Sequence, residues 1–268
     1  MKCNEVIRII EERFPPALAE EWDNPGLLVG DPASEVNTVF VALDASDDIV
    51  GEAAKAHADL LITHHPMIFR PVANIRQDDF LGRRIISLIK SGIGLYAAHT
   101  NYDIAGMAQR NADMLGLRDC AMLDKTCEAS FDTLYAEADG SYGYGRVGDL
   151  AEEMTLGEFA AKVKSVFRLG AVRLYGDPEK MIRRAAVSSG AGKSSLGSAI
   201  DKGADVLVTG DVDYHTAIDA LMRGIAVIDA GHYGTEFCFI SDMAAFLTEK
   251  CPDLIIRTAA ILQPYSIL

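Results

Sequence analysis

The stretch Asp59-Leu60-Leu61-Ile62-Thr63-His64-His65-Pro66 decides how this chain reads. Leu60 to Ile62 is apolar at every position and too short for a helix, which predicts a strand buried on both faces, as in parallel sheets. In open α/β sheets the ligand-binding groups sit just beyond the carboxyl ends of such strands, where Thr63, His64 and His65 fall. Adjacent side chains on a regular strand point to opposite faces, so the two histidines serve one site only if the strand ends there. Pro66 favours that exit, because it has no backbone donor and restricts the residue before it. A lone His-His pair at a strand end is weak evidence by itself, since such histidines often just bond backbone or water.

The same pattern recurs later in the chain. Residues 52–65, E-A-A-K-A-H-A-D-L-L-I-T-H-H, align without gaps on 198–211, S-A-I-D-K-G-A-D-V-L-V-T-G-D, sharing the Ala-Asp pair, the apolar triplet and the threonine. Each copy is followed by a helix and a glycine-led strand, G-I-G-L-Y-A-A-H at 92–99 and G-I-A-V-I-D-A-G-H at 224–232. Two matches in the same order predict two related α/β domains with mixed, largely parallel sheets. A metal site is expected in the cleft between them, where ligand sites commonly form.

The remaining elements follow from local signals. Val6, Ile9, Ile10 and Phe14 share one helical face, predicting a helix over 3–14. Turn chemistry at Asp23-Asn24-Pro25-Gly26 and Gly30-Asp31-Pro32 flanks a short strand, and Trp22, the single tryptophan, is expected to pack. Strands are expected at 38–43, 59–63 and 94–98, with helices at 47–57 and 80–90. Around 124–180 the texture changes to the glycine- and tyrosine-rich G-S-Y-G-Y-G (140–145), an acidic patch at Asp149, Glu152 and Glu153, a capping box at Thr155 and Glu158, and a strand at 172–175. The expected division is residues 1–123 plus 225–268 as a first domain carrying the ligands, and 124–224 as a second.

Composition narrows the function classes. With 25 Lys+Arg against 39 Asp+Glu over 268 residues, the formal charge of −14 argues against nucleic acid as a partner. The charged, helical N-terminal stretch lacks the apolar core of a signal peptide, and no segment reaches the ~18 apolar residues of a membrane span. A cytoplasmic location without membrane contact is expected. Five scattered cysteines without a C-x-x-C point neither to a disulfide framework nor to a thiolate zinc site.

Five of the six histidines lie shortly after predicted strands. His232 and Glu236, four apart, share a face if a helix begins at His232. His64, His65, Asp103, His232 and Glu236 make a mixed nitrogen and oxygen set suited to Zn, Fe, Ni or Mn. Five ligands exceed the need of one tetrahedral ion, so two divalent metal ions roughly 3.5–4 Å apart are expected. His99, His215 and Tyr214 are candidates for proton transfer or for orienting ligands. S-S-G-A-G-K-S-S (188–195) is not a complete phosphate-binding P-loop, because the motif needs glycine where Val187 stands. Its glycine-serine turn either presents backbone N–H groups to a phosphate or is a plain tight turn.

The blocks H-H-P-M (64–67), A-A-H-T-N-Y-D (97–103), T-G-D-V-D-Y-H (209–215) and I-D-A-G-H-Y-G-T-E (228–236) resemble the signatures of the GTP cyclohydrolase 1 type 2 family, also called the Nif-three-like family. W-D-N-P-G-L-L-V-G (22–30), G-R-V-G-D-L (145–150) and M-T-L-G-E-F (154–159) fit it too. The resemblance spans nearly the whole chain. It implies a two-domain α/β protein with a dinuclear metal centre, assembled as a homohexameric ring, with the ligands at His64, His65, Asp103, His232 and Glu236. At Asp213 the chain departs from the family, where lysine is common. The family name suggests a hydrolase opening the purine ring of GTP, although the same residues would serve phosphoester or amide hydrolysis equally well. The alternative is a metal-binding scaffold or regulatory protein whose ring recruits protein partners.

Overall fold

In the computed structural model, residues 1–129, 131, 140–260 and 265 are described. Along the chain run α1 (Cys3–Arg13), β1 (Gly26–Val29), β2 (Thr38–Ala42), α2 (Asp47–Lys55), β3 (Leu60–Thr63), α3 (Phe80–Ser91), β4 (Gly94–Ala97) and α4 (Thr100–Tyr102). A π-helical turn, Asp103–Met107, leads into α5 (Ala108–Leu115), then β5 (Arg118–Glu128), β6 (Ser141–Thr155), α6 (Leu156–Val166), β7 (Arg173–Tyr175) and β8 (Met181–Val187). The chain continues through α7 (Leu196–Asp201), β9 (Val206–Thr209), α8 (Tyr214–Met222), β10 (Ala226–Asp229), α9 (His232–Glu236), α10 (Cys238–Lys250) and β11 (Ile255–Thr258).

Two compact units result: Met1–Tyr102 with Phe239–Ile261, and Asp103–Cys238 with Leu262–Leu268. The first contains a five-stranded sheet of order β1-β4-β3-β2-β11, parallel except for β1 against β4. All four residues of β3 are buried, as its unbroken apolar run requires. Leu61 packs with Phe40, Val50, Ala53, Leu88 and Leu95 in the core under α2 and α3. The second unit contains a six-stranded sheet of order β5-β6-β8-β9-β10-β7. Only β8-β9-β10 is parallel there; β5, β6 and β7 pair antiparallel, so this sheet is mixed rather than largely parallel. Its central strands are buried on both faces, Val206, Val208 and Ile228 in one core and Leu207 and Val227 in another.

The expected domain limits differ from this division. Residues 225–238, expected in the first domain, lie in the second unit, where β10 pairs along its length with β9 and β7. Residues 103–123 go the same way, because β5 pairs with β6.

The internal repeat extends to individual hydrogen bonds. Asp59 Oδ2 accepts from the N–H groups of Asn37 and Thr38 at 2.7 and 2.9 Å; Asp205 Oδ2 accepts from Arg183 and Arg184 at 2.8 and 2.9 Å. Asp59 thus closes off the start of β2, and Asp205 holds β8 just ahead of the residues that pair with β9. Ala98 N–H donates to Thr63 O, and Ala230 N–H to Thr209 O. His57 and Gly203 occupy equivalent left-handed positions after their helices, at φ 52° and 71°. The capping box at Thr155 and Glu158 is formed at the start of α6. No described helix is long and apolar enough to cross a membrane.

Candidate metal centre

The first unit places three imidazoles together beyond its strand ends. His64 and His65 follow β3 directly, and the N–H groups of both donate to Leu43 O, at 3.2 and 3.0 Å. Two successive amides sharing one acceptor means that the backbone has left the extended path, which is how adjacent residues come to one side. Thr63 Oγ1 donates to His65 O at 2.9 Å and holds that bend. His99, one turn beyond β4, completes the group: ring centroids lie 5.0, 5.2 and 5.6 Å apart, and one ligand atom from each residue falls within 4.8 Å of the others.

Each of these rings is oriented through Nδ1. His64 Nδ1 lies 2.8 Å from Ala98 O, His65 Nδ1 2.7 Å from Asp44 Oδ1 and His99 Nδ1 2.8 Å from Asp23 Oδ1. A carbonyl or carboxylate oxygen only accepts, so Nδ1 carries the proton and the lone pair is on Nε2. That is how metal-ligating histidines are held in proteins. Asp23 is itself held by several donors. Burial alone would raise its carboxyl, but hydrogen bonds from His99 and from the Thr100 hydroxyl and amide hold it at about 2. It is a fixed anion at neutral pH. Read from sequence as a turn residue, Asp23 reaches His99 across 76 positions, and no local pattern announces that contact.

In the second unit, α9 forms as the spacing requires and places His232 Nε2 3.2 Å from Glu236 Oε2. His232 Nδ1 meets Asp211 Oδ2 at 2.8 Å. The imidazole thus stands between two carboxylates. Glycine makes the room: a Cβ on Gly190 would stand 2.5 Å from Glu236 Oε1, and one on Gly210 would stand 2.4 Å from His232 N. Glu236 is buried, as is Asp103, which opens the π-helical turn. Imidazole nitrogens and buried carboxylates are a donor set fitted to divalent transition metals.

The sequence model of the family described as Duf34/NIF3 (NGG1p interacting factor 3) matches residues 1–263. The chain belongs to this family. The GTP cyclohydrolase 1 type 2 homolog of Clostridium perfringens is 37% identical over 252 residues, 93% of this chain and 92% of that protein. The homolog of Clostridium acetobutylicum is 37% identical over 88% of this chain and 86% of its own length. Among solved structures, a Bacillus cereus protein related to NIF3 superposes with TM-score 0.88 at 26% identity, covering 100% of this chain and 99% of that one. Reduced HcgD from Methanocaldococcus jannaschii gives 0.78 at 31% identity, covering 96% and 97%.

Against this Duf34/NIF3 fold the other sequence candidates sort differently. Tyr214 and His215 begin α8 as expected, but both are exposed, their rings 5.5 Å apart, and His215 joins none of the metal-capable groups among the described residues. Two amides of the glycine-serine turn are taken by threonines of neighbouring elements: Gly190 N–H donates to Thr235 Oγ1 at 2.8 Å and Gly192 N–H to Thr209 Oγ1 at 2.9 Å. Those donors anchor the turn, which favours the structural reading over a phosphate site. Asp213 caps α8 by accepting from Thr216 N–H and pairs with Lys193 at 2.8 Å, and these contacts hold its carboxyl well below the usual range. Trp22, expected to pack, lies against Phe69 and is 58% exposed. The cysteines form no disulfide among the described residues.

Proposed function

We propose that this Duf34/NIF3 member is a metal-dependent hydrolase whose dinuclear centre takes its ligands from His64, His65, Asp103, His232 and Glu236. The observation that carries the reading is the uniform preparation of the imidazoles: His64, His65 and His232 all have Nδ1 fixed by an oxygen, which sets Nε2 as the ligating atom. Divalent ions held there supply Lewis acidity and a water acidic enough to attack at neutral pH. His99, fixed by Asp23 beside His64 and His65, is the group suited to move a proton during the attack. The names of the relatives favour a nucleotide substrate opened in the manner of GTP cyclohydrolase.

The test is elemental analysis of the purified protein, followed by GTP turnover with metal removed and restored. About two ions per chain with metal-dependent consumption of GTP supports the proposal; metal without turnover removes GTP as substrate. Absence of metal before and after reconstitution refutes the centre.

A second reading, a ring-shaped homohexamer that acts as a scaffold for protein partners, is favoured by α8. Tyr214, Ile218, Leu221 and Met222 recur at helical spacing and are 73%, 40%, 45% and 83% exposed. An uncovered apolar stripe of this kind suits a subunit contact. Light scattering of wild type and Met222→Glu tests it: a hexamer that dissociates on substitution supports the contact, and a wild-type monomer refutes it.

A further inference from the structure

Trp22 and Phe69 are large aromatic side chains left in solvent, 58% and 44% exposed, with ring centroids 5.9 Å apart. Trp22 also stands 6.2 Å from His99, which belongs to the imidazole group of the candidate centre. Neither neighbour stacks parallel on the indole: the interplanar angles are 55° to Phe69 and 75° to His99, and Trp22 stays more than half exposed.

The pair is held in place. Glu20 N–H donates to Thr100 Oγ1 at 3.0 Å on one side of Trp22, and Asp23 is bonded to His99 and Thr100 on the other. Asn24 Nδ2 donates to Ile68 O at 2.6 Å, tying the Trp22 turn to the loop that carries Phe69. These bonds fix the backbone beneath two rings that gain little by remaining in water. A prepositioned aromatic face loses little entropy when a flat ring settles on it.

We propose that Trp22, flanked by Phe69, is the stacking platform for a planar heteroaromatic ring of the ligand, held beside His99. The assignment rests on the metal-centre reading for what happens to that ring and deepens it by naming the part of the ligand that is recognised. Recognition through a π-face tolerates different bases, so the platform takes purine and pyrimidine rings alike and ignores sugar phosphates that lack one.

Trp22 is the only tryptophan, so intrinsic fluorescence reports on this position alone. The experiment titrates the full-length, metal-reconstituted protein with guanosine 5′-monophosphate, cytidine 5′-monophosphate and ribose 5-phosphate, following fluorescence, with equilibrium dialysis for the variants. Saturable quenching by both nucleotides but not by ribose 5-phosphate is expected. Trp22→Ala should weaken nucleotide binding by about five- to 150-fold, the range for loss of one stacked base, while Trp22→Phe stays within about threefold of wild type. Equal binding of ribose 5-phosphate, no saturable binding of either nucleotide, or unchanged affinity in Trp22→Ala overturns the proposal. A change of oligomeric state in Trp22→Ala with nucleotide affinity intact also overturns it, assigning the pair to a protein contact. Metal content measured on the same samples separates the two readings: nucleotide quenching in a protein that takes up no metal sinks the centre and leaves the platform standing.

Discussion

Gly190→Ala isolates the contribution of Glu236 to the metal centre. Gly190 has φ 60°, and the added Cβ would sit 2.5 Å from Glu236 Oε1, where ordinary contact begins at 3.4 Å. The carboxylate must therefore retreat by roughly 0.9 Å, beyond the ~0.5 Å within which a functional constellation has to be held. The left-handed backbone adds about 1–2 kcal/mol of strain for a residue with a Cβ. The control is Gly203→Ala, at φ 71° with nothing within 4 Å of its Cβ, which carries the strain without the clash. Both variants should lose a few degrees of melting temperature, at about 2–4 °C per kcal/mol for a protein of this size. Only Gly190→Ala should lose metal, with affinity falling about 10–100-fold, the range for disturbing the groups that position a ligand. Isothermal titration with Zn²⁺ or Mn²⁺ into the apoprotein provides the measurement. If Gly190→Ala binds metal as tightly as Gly203→Ala does, Glu236 is not a ligand and the reasoning fails.

Other substitutions test the frame around the site. Asp59→Ala and Asp205→Ala each remove an acceptor of two backbone amides on the neighbouring strand, and each should cost about 2 kcal/mol in urea unfolding; a cost under about 0.5 kcal/mol would remove the aspartates from the account of the repeat. His57→Gly puts glycine at a φ of 52° and should leave stability unchanged or raise it by up to about 1 kcal/mol, so a marked loss would show that the His57 side chain contributes more than its backbone strain. Because the folded-state carboxyl of Asp23 lies near 2, below its ordinary 3.8, its stabilisation is complete above about pH 4 and disappears as pH falls through 2. That contribution is about 2 kcal/mol. Asp23→Asn should therefore be less stable at neutral pH and show a flatter acid limb in a pH series of unfolding midpoints; an acid limb as steep as wild type would refute the assignment.

Much of the frame was legible because the physics was local. The triplet at 60–62 and its copy at 206–208 became buried parallel strands, and the spacing of His232 and Glu236 became one helical turn. The long β5–β6 pair was not legible. The glycine- and tyrosine-rich run at 140–145 carries no strand period, yet Gly143 and Gly145 lie inside β6, where a Cβ on Gly143 would stand only 1.8 Å from Asp124 O on the neighbouring strand. Here glycine marks close approach of two backbones rather than a turn. The setting of Trp22 was not legible either, because the turn that carries it is tied through Glu20, Asp23 and Asn24 to residues 44 to 80 positions away.

The two copies also explain why the donor set is mixed rather than all imidazole. Counted from the paired strands, Thr63 matches Thr209, so His64 and His65 correspond to Gly210 and Asp211. The first copy places the candidate ligand rings at its strand end and draws the orienting carboxylate for His65 from Asp44. In the second copy the carboxylate stands at the strand end instead, as Asp211, and orients a ring that comes from the next helix, His232. The position matching Asp44 is Gly190, whose missing Cβ leaves the space that Glu236 fills. One backbone frame thus presents imidazoles in one copy and an imidazole with a buried carboxylate in the other. An imidazole nitrogen binds one ion whereas a carboxylate is able to bridge two, and glycine at 190, in the place of Asp44, leaves the room for the carboxylate of the proposed set.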